Sequence, residues 1–157
     1  MPQIAIRKAR KSDTPLINEL NFAMHNYLGK LVGVRFSEDE LEDEKISETD
    51  LGKKHYYVAV TGNKVVGYVV FSKKTLENEW CGRYMRLDEV AVAEPLRGKG
   101  IGQRLVRVAV DYAKRNGLNV TTGTRMKNKR GINFYKKLGF RPFSTQLILD
   151  LNRKLKL

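Results

Sequence analysis

Residues 90–116 limit what this chain can become more than any other stretch. An apolar run, Val90-Ala91-Val92, leads into Arg97-Gly98-Lys99-Gly100-Ile101-Gly102. Ile101, Leu105, Val108, Ala109 and Tyr112 then recur on one face of a helix that continues to Asn116. The order is strand, glycine-rich turn, helix N-terminus. Glycines remove Cβ atoms where a ligand has to lie against main chain. The N–H groups of a first helical turn have no partner within the helix, and the positive end of its dipole stands behind them. With the charges of Arg97 and Lys99 added, the combination is a phosphate cradle.

Spacing excludes two common phosphate loops. A dinucleotide fingerprint G-x-G-x-x-G counted from Gly98 meets Gln103 at its last place, and no G-x-x-x-x-G-K-[ST] run occurs. What is present is R-x-x-G-x-G between an apolar strand and a helix, and this resembles the pyrophosphate loop of the GNAT superfamily of N-acetyltransferases. Further landmarks agree in order and distance. The run Asn128-x-x-Gly131-Ile132-x-Phe134-Tyr135-Lys136-Lys137-Leu138-Gly139-Phe140 is similar to the family's Asn-x-x-Ala and Phe-Tyr-x-x-x-Gly-Phe signature, with Gly131 in place of the usual Ala. The likeness covers roughly residues 55–143, and more loosely the first helix.

The resemblance implies an α/β fold of the GNAT acyltransferase type: a mixed, mostly antiparallel central sheet with helices on both faces, in one domain over residues 1–157. It implies acetyl-CoA as acyl donor, with no metal. By the same likeness Val90, Ala91 and Val92 hold the pantetheine arm through main-chain groups and Asn128 assists. Arg97, Gly98, Lys99, Gly100, Ile101, Gly102 and Gln103 grip the diphosphate, and Tyr135 stands at the sulfur.

The chemistry asks for particular groups. An attacking alkylamine has a pKa of about 10 and must arrive neutral, so a carboxylate near the mouth, acting directly or through water, takes its proton. N–H donors beside residues 90–92 can serve the oxyanion. The departing thiolate needs a donor that stays protonated at neutral pH, and the resemblance assigns this to Tyr135. Phe134 and Tyr135 point about 100° apart on a helix, so one can pack while the other faces the cleft. For the base, Asp88 and Glu89 fall on opposite faces of a regular strand. Asp88 shares the parity of Val90 and Val92 and is preferred, with Glu89 second; a bulge would undo that parity.

Charge is unevenly placed. Residues 1–96 carry 14 Lys/Arg against 15 Asp/Glu, and residues 97–157 carry 16 against 2, within a net charge of +13. A basic half that starts at the loop suits the phosphates of CoA. It also suits nucleic acid, although the stacking aromatics that usually accompany such binding are not interleaved with the charges. The segment Glu38 to Asp50 holds eight acidic residues and one lysine. It reads either as a solvated face or as an acidic rim that attracts a cationic acceptor such as a polyamine, a protein N-terminus or a lysine. The competing reading is a low-turnover binding or regulatory protein of the same fold whose basic half contacts nucleic acid.

The rest of the chain supplies a frame. Ile4, Ile6 and Ala9 suggest a first strand. Ser12-Asp13-Thr14-Pro15 opens a helix of about residues 14–28, which Gly29 and Gly33 interrupt. Ser37-Glu38-Asp39-Glu40 resembles a capping box for a short helix. Residues 56–60 and 65–71 flank Thr61-Gly62-Asn63-Lys64 as a hairpin, and Gly67 inside it suggests a bulge or close approach. A polar link, Lys73 to Gly82, reaches a strand over 84–92. Gly117 caps the central helix, 118–124 is a strand, Gly139 ends a short helix, and Phe140 with Leu147, Ile148, Leu149 and Leu151 suggests a closing hairpin.

Cys81, the single cysteine, rules out an internal disulfide and argues against structural zinc. No apolar stretch approaches the ~20 residues of a bilayer span, and the N-terminus lacks a signal pattern. The expectation is a cytoplasmic protein acting on an amine, with no membrane partner. A homodimer is implied only by the habit of relatives that pair through terminal strands.

Overall fold

Helix and strand periods place apolar residues on both faces of one sheet, and each face acquires its own helix. The computed structural model describes residues 3–148. β1 (Ile4–Lys8) pairs antiparallel with β2 (Lys54–Thr61), and β2 pairs antiparallel with β3 (Lys64–Ser72) around Gly62, at φ 55°. A short β4 (Leu76–Asn78) lies inside the stretch read as a polar link. β5 (Gly82–Val92) is antiparallel to β3 and β4 and parallel to β6 (Asn119–Thr122). Tyr84 has partners in β4 and β6 at once, and Leu87 in β3 and β6. So β3 and β4 flank one side of β5 and β6 flanks the other. The sheet is mixed and mostly antiparallel.

α1 (Thr14–Val32) covers one face, where Ile17 packs with Tyr56, Val58, Tyr68 and Val70. α2 (Glu38–Asp43) and α3 (Asp50–Lys53) follow it as exposed single turns, and the Ser37–Glu40 capping box forms. On the other face α4 (Ile101–Arg115) buries Leu105, Val106 and Ala109 against Ala59, Val69, Phe71 and Leu87. α5 (Lys129–Lys137) adds Phe134 and Tyr135 to the edge of that cluster. Fully burying a side chain such as Leu105 is worth about 1.5–3 kcal/mol. No helix among the described residues is long and apolar enough to cross a membrane.

Three expectations are corrected. α1 is not broken at Gly29; it runs on to Val32 and stops at Gly33, at φ 76°. Gly29 is there for closeness, since a Cβ on it would stand 2.6 Å from Val34 O and 3.0 Å from the Phe36 ring. The closing hairpin does not form within residues 140–148, which carry no strand, and Leu149 and Leu151 lie outside the described residues. The third correction concerns β5 and bears on the site.

Candidate active site

The site begins where β6 leaves β5. Their last pair is Leu87–Thr122, whereas β3 follows β5 to Val92. Glu89 to Val92 therefore have a strand partner on one side only, and their other edge is unpaired where β6 ends and a gap opens before α5. Arg97 closes the far end: its Nε donates to Val92 O at 2.9 Å, and its guanidinium lies 5.9 Å from the centre of the Tyr27 ring on α1.

The loop delivers main-chain donors to the same gap. Gly98 and Gly100 sit at φ 78° and 79°, a left-handed geometry that costs an L-residue about 1–2 kcal/mol. Both have open space where a Cβ would project. The first bond of α4 runs from Arg104 N–H to Gly100 O at 3.1 Å. Among the described residues, none of the N–H groups from Gly98 through Gln103 meets a protein acceptor. Gly102 has a separate reason to be glycine, because a Cβ there would come within 3.3 Å of the Phe134 ring. Its side of α4 is where α5 docks.

α5 starts on Asn128, whose Oδ1 accepts from Gly131 N–H at 3.0 Å while its Nδ2 donates to Thr124 Oγ1 at 2.9 Å. A Cβ on Gly131 would overlap the Asn128 amide. The replacement of the family's alanine thus matches an asparagine folded tightly over its own helix. Tyr135 follows two turns later, edge-on to Phe134 and Phe140 at 5.1 and 5.4 Å. Burial raises its hydroxyl above the usual tyrosine range, and the charge of Glu89 raises it further against the opposing pull of Thr122. Thr122 Oγ1 stands beside that hydroxyl but not in hydrogen-bonding geometry, and it is buried without another partner.

β5 is not regular. Val70 pairs with Glu89 and Phe71 with Leu87, so Asp88 is an extra residue opposite no single partner, a β-bulge. The parity argument fails accordingly. Met85 and Leu87 face α4, Val90 and Val92 pack with the same cluster, and Ala91 faces α1. Asp88 and Glu89 both turn toward the α1 face rather than to opposite faces. There they differ. Asp88 is in ion pairs with Lys54 at 3.0 Å and Arg86 at 3.3 Å, the Lys54 contact lying outside hydrogen-bond geometry. Glu89 has no cation partner among the described residues; its Oε2 accepts from the Tyr68 hydroxyl at 2.8 Å.

Several groups around these carboxylates went unread in the sequence. Tyr68 is fully buried and Asn21 nearly so. Tyr56 is pushed up to about 12 by burial first and then by the charges of Glu89, Asp50 and Asp88, which gather around it. Asn18 clamps Ile46 through both amide groups, at 2.8 and 2.9 Å, and Asn21 donates to Glu44 O at 3.1 Å. These bonds tie the acidic segment to α1. The available signals were two asparagines three apart on the apolar stripe of α1, and one tyrosine in an otherwise aliphatic run. Two surface hollows of about 530 and 800 Å³ lie along residues 9–22 and 42–52 and include no residue of β5, the 97–103 loop or α5.

Comparison with known proteins agrees with this geometry. Residues 17–140 match the model of the Acetyltransferase (GNAT) family. An uncharacterized N-acetyltransferase of Methanocaldococcus jannaschii is 33% identical over 86 residues, which are 54% of this chain and 38% of that protein, so the chain spans well under half of that relative. The thialysine N-epsilon-acetyltransferase of Mus musculus is 27% identical over 148 residues, 88% of this chain and 85% of that one. Among solved structures, the PaiA N-acetyltransferase of Thermoplasma acidophilum in complex with coenzyme A superposes with a TM-score of 0.73 at 20% identity, covering 92% of this chain and 93% of that one. The chain belongs to the GNAT family.

Proposed function

We propose that this member of the GNAT family transfers an acetyl group from acetyl-CoA directly to a primary amine, and that the amine belongs to a cationic acceptor. The observation that carries the reading is the run of unpartnered N–H donors from Gly98 to Gln103 beside the free edge of β5. Those donors, with Lys99 and the positive end of α4, suit a diphosphate. The free edge of Glu89–Val92 suits the amides of a pantetheine arm. Acetyl-CoA supplies the activated thioester. Asn128 caps α5 and so places Tyr135, and the second N–H and second lone pair of its amide are free to assist the pantetheine arm.

Each residue then has a task set by its surroundings. Burial holds the Tyr135 proton in place until a thiolate needs it. Glu89 is the better base than Asp88, because Lys54 and Arg86 already occupy Asp88. A carboxylate without a cation of its own also favours an ammonium-bearing acceptor, as do Asp50 and the acidic segment behind it. The similarity to a thialysine N-epsilon-acetyltransferase supports an amine of the lysine type. Thiol release with a panel of polyamines, lysine analogues, peptide N-termini and amino-sugar phosphates tests the reading. Cationic amines should lead, and preference for the anionic sugar phosphates would refute it.

One observation favours a second reading. Thirteen Lys/Arg lie between Arg97 and Arg141 with Asp111 the one acid among them. No ion pair among the described residues includes any of the thirteen. CoA neutralises only those near the loop, and the others suit a nucleic-acid backbone. A mobility-shift titration with a steep salt slope and no thiol release with any amine would favour that reading over the enzyme.

A further inference from the structure

We infer that Tyr68 and Asn21 are positioning residues for Glu89: the Tyr68 hydroxyl turns between the Glu89 carboxylate and the Asn21 amide oxygen, giving Glu89 a partner in both of its protonation states. The inference rests on the reading of Glu89 as the base. Tyr68 Oη stands 2.8 Å from Glu89 Oε2 and 3.3 Å from Asn21 Oδ1. It has one proton for two acceptors. The orientation of Asn21 is fixed, because its Nδ2 is spent on Glu44 O at 3.1 Å, which leaves Oδ1 facing the tyrosine. Asn21 is 2% exposed and Tyr68 0%, so bulk solvent reaches neither.

The arrangement answers a specific difficulty. A half-buried carboxylate that gains a proton changes from acceptor to donor, and a fixed donor opposite it would then be left facing another donor. Here the ammonium N–H bond breaks, directly or through a water, and an O–H bond forms on Glu89. That new O–H donates to Tyr68 Oη while the tyrosine proton swings to Asn21 Oδ1. The Tyr68 O–H bond never breaks, and the substrate proton leaves from Glu89 to solvent. Facing the pair are the Tyr56 hydroxyl from β2, Asp50 from α3, Asp88 from β5 with Lys54, and Tyr135 from α5. None of these donates a hydrogen bond to Glu89. The same Asn21 amide also holds the main chain of the acidic segment, so acceptor-side loop and base share one anchor.

A double-mutant cycle tests this, with kcat and KM for Glu89→Gln, Tyr68→Phe and the pair. Loss of the base should slow kcat at least about 10²-fold. Tyr68→Phe keeps the ring volume but leaves the Asn21 amide oxygen unpaired, so it should stay folded with a melting point somewhat below the wild type, and should slow kcat about tenfold with KM for acetyl-CoA unchanged. In the Glu89→Gln background, Tyr68→Phe should cost no more than about twofold. A tenfold effect that persists in that background would mean a role unrelated to Glu89 and would overturn the inference while leaving the base assignment standing. Wild-type rate in Glu89→Gln would overturn both. Wild-type kcat in Tyr68→Phe would overturn the inference alone.

Discussion

Tyr135→Phe separates chemistry from packing. The ring meets Phe134 and Phe140 edge-on at 5.1 and 5.4 Å, and phenylalanine keeps both contacts. The hydroxyl is the part at issue. It is half-buried, and its neighbour Thr122 Oγ1 offers no hydrogen bond in good geometry. Removing it leaves no protein group newly unpaired, so stability should stay within about 0.5 kcal/mol of the wild type. For a domain of this size that is a change of at most about 2 °C in Tm. The rate should move the other way. General-acid assistance is worth about 10²–10⁴-fold, so kcat should fall by at least about 10²-fold with KM for acetyl-CoA little changed. Differential scanning fluorimetry beside a thiol-release assay reads both. Because burial keeps this proton on above the ordinary tyrosine range, the wild-type rate should also hold to about pH 10 before any loss assigned to Tyr135. A variant with full kcat, or one that melts well below the wild type, would refute the argument.

Other perturbations follow from single contacts. Gly131→Ala would push the Asn128 amide off its cap. Losing the cap costs about 1 kcal/mol and alanine returns about as much in helix propensity, so Tm should stay near the wild type while the Gly131 amide exchanges faster by NMR. Gly67→Ala should cost about 1–3 kcal/mol in denaturant titration, because its Cβ would stand 2.9 Å from Ala91 O and 3.1 Å from Leu105 Cδ1. Asp13 is held below the usual carboxylate range, chiefly by its hydrogen bond from Arg7 at 2.7 Å. That stabilisation is complete above the unfolded value of about 3.9 and is lost as pH falls below it toward the folded value. Asp13→Asn should accordingly flatten the acid side of a stability–pH curve and leave neutral-pH slopes alone.

What could be read from the chain was whatever depends on local period or on a contiguous motif. The 54–72 hairpin, the capping box at Ser37, the left-handed glycines and the loop-to-helix run are all of that kind. Bulges are not. An extra residue at Asp88 reverses the face of everything after it, and period-two counting has no means to locate it. Val66 does the same in β3, where Ala59 pairs with Gly67 and Val60 with Val65. Gly29 looked like a breaker because its reason lies in the returning chain at Val34, not in the helix. The Glu89–Tyr68–Asn21 chain joins residues 21 and 47 positions apart, a distance at which no spacing rule speaks. Gly131 was noted as a departure, yet only the folded Asn128 explains it.

Calorimetric titration of the protein with coenzyme A, beside pantetheine, tests most directly whether the 98–103 main chain holds a diphosphate. The account predicts saturable heat for coenzyme A, weakened by salt and by alanine at Gly100, and binding at least about tenfold weaker for pantetheine, which lacks the phosphates. Equal affinity for the two compounds, or no heat from coenzyme A, would contradict it.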